Sequence, residues 1–343
     1  MSDFFSEIMA VANSRRFTAF ADGVSLRLAD GRELFVKLAS LDRSIRSVGH
    51  RFSKYAYVAN VTAGEYSGVG YGEASTKMLA LQKSISEGVE RAVFYAVKGT
   101  SLGTSNSNGW AAHISSKKAF ANGFDELLER DSILVHWLRQ EAYLEIDKDS
   151  WPVSIRLWSQ KELALAKNFN NFRILISNNG YVPTVTTVLS NTDGYAVLSH
   201  ASGASLEHSL DRALAETCRI AEIALVTPAG TSDGNPKGPE EQAMYYAFHD
   251  RLPTWMFGDK IPWQMAAKEW RLRRRKFQPQ ALSPKFHSIA KGPLAVGYVS
   301  CDALQGLYFD DVHEAEKRGL INFSRLGKVG QLRGLNPLPH CVP

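Results

Sequence analysis

Residues 55 to 75 read YAYVANVTAGEYSGVGYGEAS, and this stretch, read with the residues on its C-terminal side, decides the fold class. The alternation from Tyr55 to Ala63 predicts a strand, and the glycines at 64, 68, 70 and 72 predict a glycine-rich turn after it. From about Ser75 to Val97 the period becomes helical, with Met78, Leu81, Ile85, Val89, Ala92 and Ala96 on one face. A strand, a turn and a long amphipathic helix in succession imply mixed α and β structure.

Upstream, residues 2–13 predict a helix, and VSLRLADGRELFVKL (24–38) sets two alternating runs around Asp30-Gly31, a hairpin signal. Downstream, TSNSNGWAAH (104–113) leads into a second helix over about Ser116 to Leu138, striped by Phe120, Phe124, Leu127, Leu128 and Leu134. Strands are expected at 172–178, 182–190 and 195–199, then a third helix from Leu206 to Leu225 with Ser205 as N-cap. No interdomain linker stands out. TPAGTSDGNPKGPEE (227–241) reads equally as a lid or as a disordered surface loop.

With 343 residues, 44% hydrophobic and 22% charged, the chain can bury a sizeable core. No apolar run approaches the ~20 residues that cross a bilayer, and MSDFFSEIMAVANSRR lacks the build of a signal peptide, so a cytoplasmic protein without a membrane partner is expected. Cys218, Cys301 and Cys341 are far apart and odd in number, which fits neither a disulfide framework nor a paired-cysteine metal or redox site. The net charge of +5 is compatible with an anionic ligand without requiring one.

SISEGVER (84–91) and ELLERD (126–131) both carry the pattern E-x-x-E-R, offset by 39 residues. Carboxylates three apart share a helix face, so Glu87 with Arg91 and Glu126 with Arg130 read as salt bridges. Two such helices also read as a carboxylate group that would repel itself without a hard cation: magnesium takes oxygen ligands and substrate phosphates, and arginine forks onto phosphate. Asp131 falls inside the apolar stripe and needs a partner, a backbone amide or an arginine. Arg212 and Glu216 stand four apart on the third helix and read as a pair. KEWRLRRRKF (268–277) is a basic cluster read as a solvated helix face, with no nucleic acid expected as partner. The closing NPLPHCVP (336–343) is either a frayed end or a stiff, extended finger, since proline fixes φ and removes the backbone donor.

These pieces together resemble the YcaO family of ATP-dependent peptide-backbone enzymes, through GVGYGEAS with SISEGVER, SNGWAAH with AFANGFDELLERD, SGASLEHSLDRALAE, and NPLPHCVP. The resemblance implies an α+β fold of mixed sheets packed with helices: a YcaO-like ATP-binding core over residues 56–343, and residues 1–55 as a helix and hairpin belonging to or edging it. It implies ATP and Mg2+ as cofactors, with Glu87, Glu90, Glu126 and Glu129 as metal ligands. Ser84, Arg91, Lys118, Arg130, Arg212 and Glu216 become ATP contacts, and Pro337, Pro339 and Pro343 a catalytic tail. The implied reaction is cyclodehydration of a Cys, Ser or Thr in a ribosomally made precursor peptide, with thioamide or amidine formation as the in-family alternative. The implied partner is a leader-binding protein resembling ubiquitin-activating enzymes, and a homodimer is compatible.

The chain departs from the family pattern at His113, Ile114 and Lys118, the last standing where an acidic ligand is usual, at Arg219 in place of glutamine, and at Cys341 in place of proline. Ile114 and Lys118 motivate a second reading, a non-catalytic YcaO-like subunit that binds peptide or a partner.

Overall fold

The computed structural model describes residues 20–43, 55–165, 169–177, 180–226, 245–248, 251–309, 311–327, 335–338 and 340. The helix expected over 2–13, the loop 227–241, and Pro339, Cys341 and Pro343 lie outside the described residues. In chain order the elements are β1 Val24–Leu28, β2 Glu33–Arg43, β3 Tyr55–Ala63, β4 Tyr66–Ala74, α1 Lys77–Val97, β5 Trp110–His113, α2 Ser116–Leu138, β6 Tyr143–Ile146 and α3 Val153–Leu165. They continue as β7 Asn171–Ser177, β8 Thr184–Ser190, β9 Ala196–Ala201, α4 Leu206–Val226, β10 Phe257–Ile261, α5 Trp263–Lys276, β11 Lys285–Lys291, β12 Ala295–Ser300 and α6 Val312–Lys317. The fold is α+β, as expected.

Two compact units divide the chain. The first takes described residues within 1–45, 52–124 and 284–301, and the second those within 46–51, 125–283 and 302–343. The first unit holds a seven-stranded antiparallel sheet in the order β4-β3-β2-β1-β11-β12-β5. The β1–β2 hairpin turns at Gly31, whose φ of +90° suits glycine, and Asp30 there accepts from the Arg32 amide at 3.1 Å. One face of the sheet is covered by α1, whose Ile85, Val89, Ala92 and Val93 join Leu26, Val36, Val61 and Val296 in the core.

The expected glycine-rich turn is a strand. Gly68, Gly70 and Gly72 occupy alternate positions of β4, and the turn sits earlier, at Gly64, with φ +61°. An added Cβ would stand 2.4 Å from Ala92 N at Gly68, 2.0 Å from Ser84 O at Gly70 and 1.9 Å from Ala80 O at Gly72. Helix α1 answers with Ala80, Ser84, Gly88 and Ala92, small residues at steps of four, so its backbone lies directly on the strand. The glycines share one face by the two-residue period of a strand, and their spacing reports close approach rather than reversal.

The second unit holds a five-stranded sheet in the order β10-β6-β7-β8-β9, with β10 and β6 parallel and the other pairs antiparallel. Alternation sends Phe172, Ile174, Ile176, Val185, Leu189 and Val197 to one core with α3, α4 and α5, and Leu175, Val188 and Leu198 to another with the second half of α2. Hydroxyls buried by this double cover find each other: Thr187 pairs with Thr217 at 2.7 Å, and Thr186 with His200 Nδ1 at 2.7 Å. The strands β11 and β12 and the helix α6 carry no expectation from the sequence.

The described part of the closing segment is not frayed. Asn336 donates its amide to the Leu138 carbonyl at 3.2 Å, Trp137 Nε1 donates to the Leu338 carbonyl at 3.0 Å, and His340 is buried with its Nε2 on the Tyr308 carbonyl. Pro337 is exposed.

Candidate functional site

In the first unit, three residues of α1 at steps of four, Lys83, Glu87 and Arg91, reach the edge of β4. Lys83 Nζ donates to the Glu73 carbonyl at 3.1 Å, Glu87 Oε2 accepts the Tyr71 amide at 2.8 Å, and Arg91 Nη1 donates to the Val69 carbonyl at 2.9 Å. Four helical residues advance ~6 Å and two strand residues ~6.7 Å, so the two repeats keep step over this distance. Because β4 is an end strand of its sheet, these bonds cover backbone groups that an open edge would offer to another chain. Glu87 Oε1 also meets Arg91 Nη2 at 2.7 Å, the salt bridge read from the spacing. Ser84 is fully buried and donates to the Leu81 carbonyl at 3.0 Å, while Glu90 is partly buried. Lys118 is exposed in the first turn of α2, and the nearby His113 is held below its ordinary value, first by burial and then by the Lys118 charge.

In the second unit, Glu126 Oε1 pairs with Arg130 Nη1 at 2.8 Å, again as the spacing reads. One turn on, the Glu129 side chain is only 16% exposed; its Oε2 accepts the Ser202 amide at 2.7 Å and stands 3.7 Å from Arg212 Nη2. Arg212 Nη1 in turn donates to the Ser202 carbonyl at 2.6 Å. The expected pair of Arg212 with Glu216 is therefore replaced: Arg212 serves Glu129 and Ser202, and Glu216 pairs with Arg219. Burial pushes the Glu129 carboxyl above its ordinary 4.5; Arg212 and the Ser202 amide pull against it, and the Glu126 charge adds to the rise.

Asp131 has both kinds of partner that its place in the apolar stripe requires. Its Oδ1 accepts the Gln305 amide at 2.9 Å, and Arg325 forks onto it with Nη2 to Oδ2 at 2.8 Å and Nε to Oδ1 at 3.0 Å. The Arg325 guanidinium lies 4.4 Å over the Tyr181 ring, so this group braces the unit. Sequence reasoning missed Lys83, Ser202 and Arg325. A stripe at 83, 87 and 91 was available as a signal for the first; nothing local announces the other two.

A family model described as YcaO cyclodehydratase, ATP- and Mg2+-binding, matches residues 72–283. The chain belongs to the YcaO family. Among solved structures it is similar to a heterocyclase in complex with substrate and cofactor, with TM-score 0.56 and 14% identity over 88% of this chain and 54% of that one. The chain thus spans about half the length of that heterocyclase. It is also similar to YcaO from Methanopyrus kandleri bound with AMPPCP and Mg2+, with TM-score 0.54 and 12% identity over 83% of this chain and 89% of that one. None of the curated proteins matches. At these identities the solved structures speak for the fold, and the family model carries the ATP- and Mg2+-binding character.

The donor chemistry of this YcaO chain fits that character. Among the described residues no three His, Cys, Asp or Glu side chains are grouped as a metal site. Magnesium takes one or two carboxylates and completes its shell with water and phosphate oxygens. Glu126 and Glu129 suit that: a carboxylate raised first by burial, and further by a like charge beside it, is relieved by a divalent cation. Among the described residues, no helix is long and apolar enough to cross a membrane.

Proposed function

We propose that this YcaO protein uses ATP and Mg2+ to activate the backbone of a ribosomally made peptide by cyclodehydration. The observation that carries the reading is the largely buried Glu129, held by the Ser202 amide beside Arg212 and Glu126, in a chain whose family model is described as ATP- and Mg2+-binding. In the proposed reaction a Cys, Ser or Thr side chain of the substrate adds to the preceding carbonyl carbon and loses its proton. The carbonyl oxygen takes the γ-phosphoryl group and ADP leaves. Loss of the amide proton and of phosphate then forms the C=N bond of an azoline. Amide oxygen leaves poorly and phosphate leaves well, so the protein's work is positioning and charge stabilisation.

In this reading Glu126 and Glu129 of the second unit are Mg2+ ligands, Glu87 and Glu90 of α1 in the first unit are proposed as Mg2+ ligands as well, and the metal neutralises phosphate charge. Arg91, Lys118, Arg130 and Arg212 face phosphate oxygens, with Glu216 orienting its Arg219 neighbour. Ser84 is proposed as an ATP contact on α1, its hydroxyl donating to the Leu81 carbonyl in the protein alone. Pro337, Pro339 and Pro343 belong to a tail whose fixed φ limits the entropy lost in ordering it. The active stretch is residues 56–343, with 1–55 as its edge, working in the cytoplasm with a leader-binding partner that resembles ubiquitin-activating enzymes. The peptide heterocycle, rather than a thioamide or amidine, is the product.

The test is phosphate release from Mg-ATP with the precursor peptide and its partner present. Peptide-stimulated turnover with loss of one water mass per ring is expected; no turnover with every component present overturns the reading. A second reading, a non-catalytic peptide- or partner-binding subunit, is favoured by one observation: Lys118, a cation, stands exposed in the first turn of α2 where the family resemblance expects an acid. Peptide binding without ATP binding is its signature.

A further inference from the structure

Helix α5, Trp263–Lys276, takes no part in the site described above, yet it concentrates the charge of the chain. It carries Lys268, Arg271, Arg273, Arg274, Arg275 and Lys276 against a single acid, Glu269; six minus one equals the +5 of all 343 residues. One face is fixed: Trp263, Ala266 and Trp270 are buried in the core with Ile146, Leu210 and Ile220, and Trp270 Nε1 donates to the Gly203 carbonyl at 3.2 Å. The opposite face is open. Lys268, Arg271, Arg275 and Lys276 are exposed there, and so are Met265 at 53% and Leu272 at 40%. Those two apolar side chains stand seven residues apart, ~10 Å along the axis and on the same side.

Cations in a last helical turn complement the helix dipole, which accounts for Arg273 to Lys276. It does not account for Lys268 and Arg271, nor for two large apolar side chains among the charges. A membrane surface needs a wide apolar face to insert, and the wide face of α5, with both its tryptophans, is already buried. Single-stranded nucleic acid is held by cations interleaved with exposed aromatic rings, whereas the rings of this helix are inside and its exposed apolar groups are aliphatic. What remains complementary is a chain that alternates carboxylates with aliphatic anchors.

We propose that the outer face of α5 docks an acidic, amphipathic peptide segment. Met265 and Leu272 take its apolar side chains, and Lys268, Arg271 and Arg275 its carboxylates. The identification of that segment as part of the precursor peptide, outside the residues being modified, rests on the function proposed above; the docking itself does not. Charge steering makes association fast and salt-dependent, and the two apolar contacts set the register.

The test uses the full chain and a fluorescein-labelled synthetic peptide of glutamates with two leucines seven residues apart, read by anisotropy, with Mg-ATP binding measured calorimetrically on the same samples. Saturable binding that weakens with salt is expected. The combined variant Lys268→Glu, Arg271→Glu, Arg275→Glu should lose about tenfold or more in affinity and recover binding to a lysine version of the probe. Met265→Ser with Leu272→Ser should weaken the glutamate probe several-fold while keeping its salt dependence. Tryptophan fluorescence of Trp263 and Trp270 checks folding; should the reversal variant misfold, Lys268→Ala with Arg271→Ala takes its place. Equal binding by wild type and variants, or binding of single-stranded RNA or phosphatidylserine vesicles but not of the peptide, overturns the proposal. Peptide binding without ATP binding leaves the docking face standing and removes the enzymatic reading. ATP binding without peptide binding does the reverse.

Discussion

The backbone amide of Tyr71 and the carboxylate of Glu87 meet at 2.8 Å, so an acid with the spacing of a metal ligand is also the group that closes a sheet edge. The two roles separate by charge. Glutamine at position 87 still offers an oxygen to the Tyr71 amide but loses the attraction to Mg2+. Glu87→Gln is therefore expected to shift stability by no more than ~1 kcal/mol, while Mg-dependent ATP affinity falls at least tenfold by calorimetry. Unchanged ATP affinity would leave Glu87 with the edge alone.

The glycine stripe of β4 admits no side chain. Gly70→Ala puts a methyl group 2.0 Å from the Ser84 carbonyl oxygen, a backbone atom that cannot step aside without lifting α1. A loss of about 1–3 kcal/mol or more in urea unfolding is expected, against near-neutrality for Gly64→Asn in the turn. A fully stable Gly70→Ala protein would contradict the close approach of α1 to β4.

Glu129 makes stability depend on pH. Burial raises its folded pKa above 4.5, so between 4.5 and the folded value the native state binds more protons than the unfolded chain does. Its contribution to stability consequently falls as pH rises through that window. Glu129→Gln removes the titration, and its unfolding free energy relative to wild type should increase from pH 4.5 upward, read from urea midpoints in the absence of Mg2+. A difference independent of pH would show that the carboxyl titrates normally.

Removing one member of the Asp131–Arg325 pair strands the other, which is 13% exposed on the arginine side and fully buried on the aspartate side. Arg325→Ala is expected to cost about 3–5 kcal/mol, and a double-mutant cycle with Asp131→Ala should recover a large part of it. Additive losses would show that the two do not interact.

Deleting residues 336–343 removes the amide that serves the Leu138 carbonyl and the carbonyl that serves Trp137. Melting temperature should fall together with any peptide modification, by an amount that Trp137→Phe reproduces in part, about 0.5–1.5 kcal/mol for one hydrogen bond. An unchanged melting temperature would return the tail to a loose end.

Local periods carried a good share of this fold. The second helix runs from Ser116 to Leu138 as its apolar stripe indicates, β7 to β9 obey their alternation, and Asp30-Gly31 turns the first hairpin. What the periods cannot express is partnership at a distance. Asp131 plainly needs a partner, but nothing near it says that its arginine stands 194 residues away. Arg212 has an acid one turn along its own helix and still turns to Glu129, because the less exposed carboxylate draws a guanidinium more strongly. Glycine has no hydrophobicity to alternate, so the stripe of β4 imitates a turn until the helix above it is known.

The seven-stranded sheet is completed only by residues 285–300, since β11 lies between β1 and β12, and β12 brings in β5. A ribosome making this chain has therefore delivered all of residues 125–283 before the first unit can close. Until then β1 and β5 stand as bare edges in the nascent protein, open to pairing with other chains. Expression of residues 1–124 by themselves should for that reason give aggregate rather than a folded half. Slow refolding is the natural gait of the whole, because the closing strand pair spans most of the sequence.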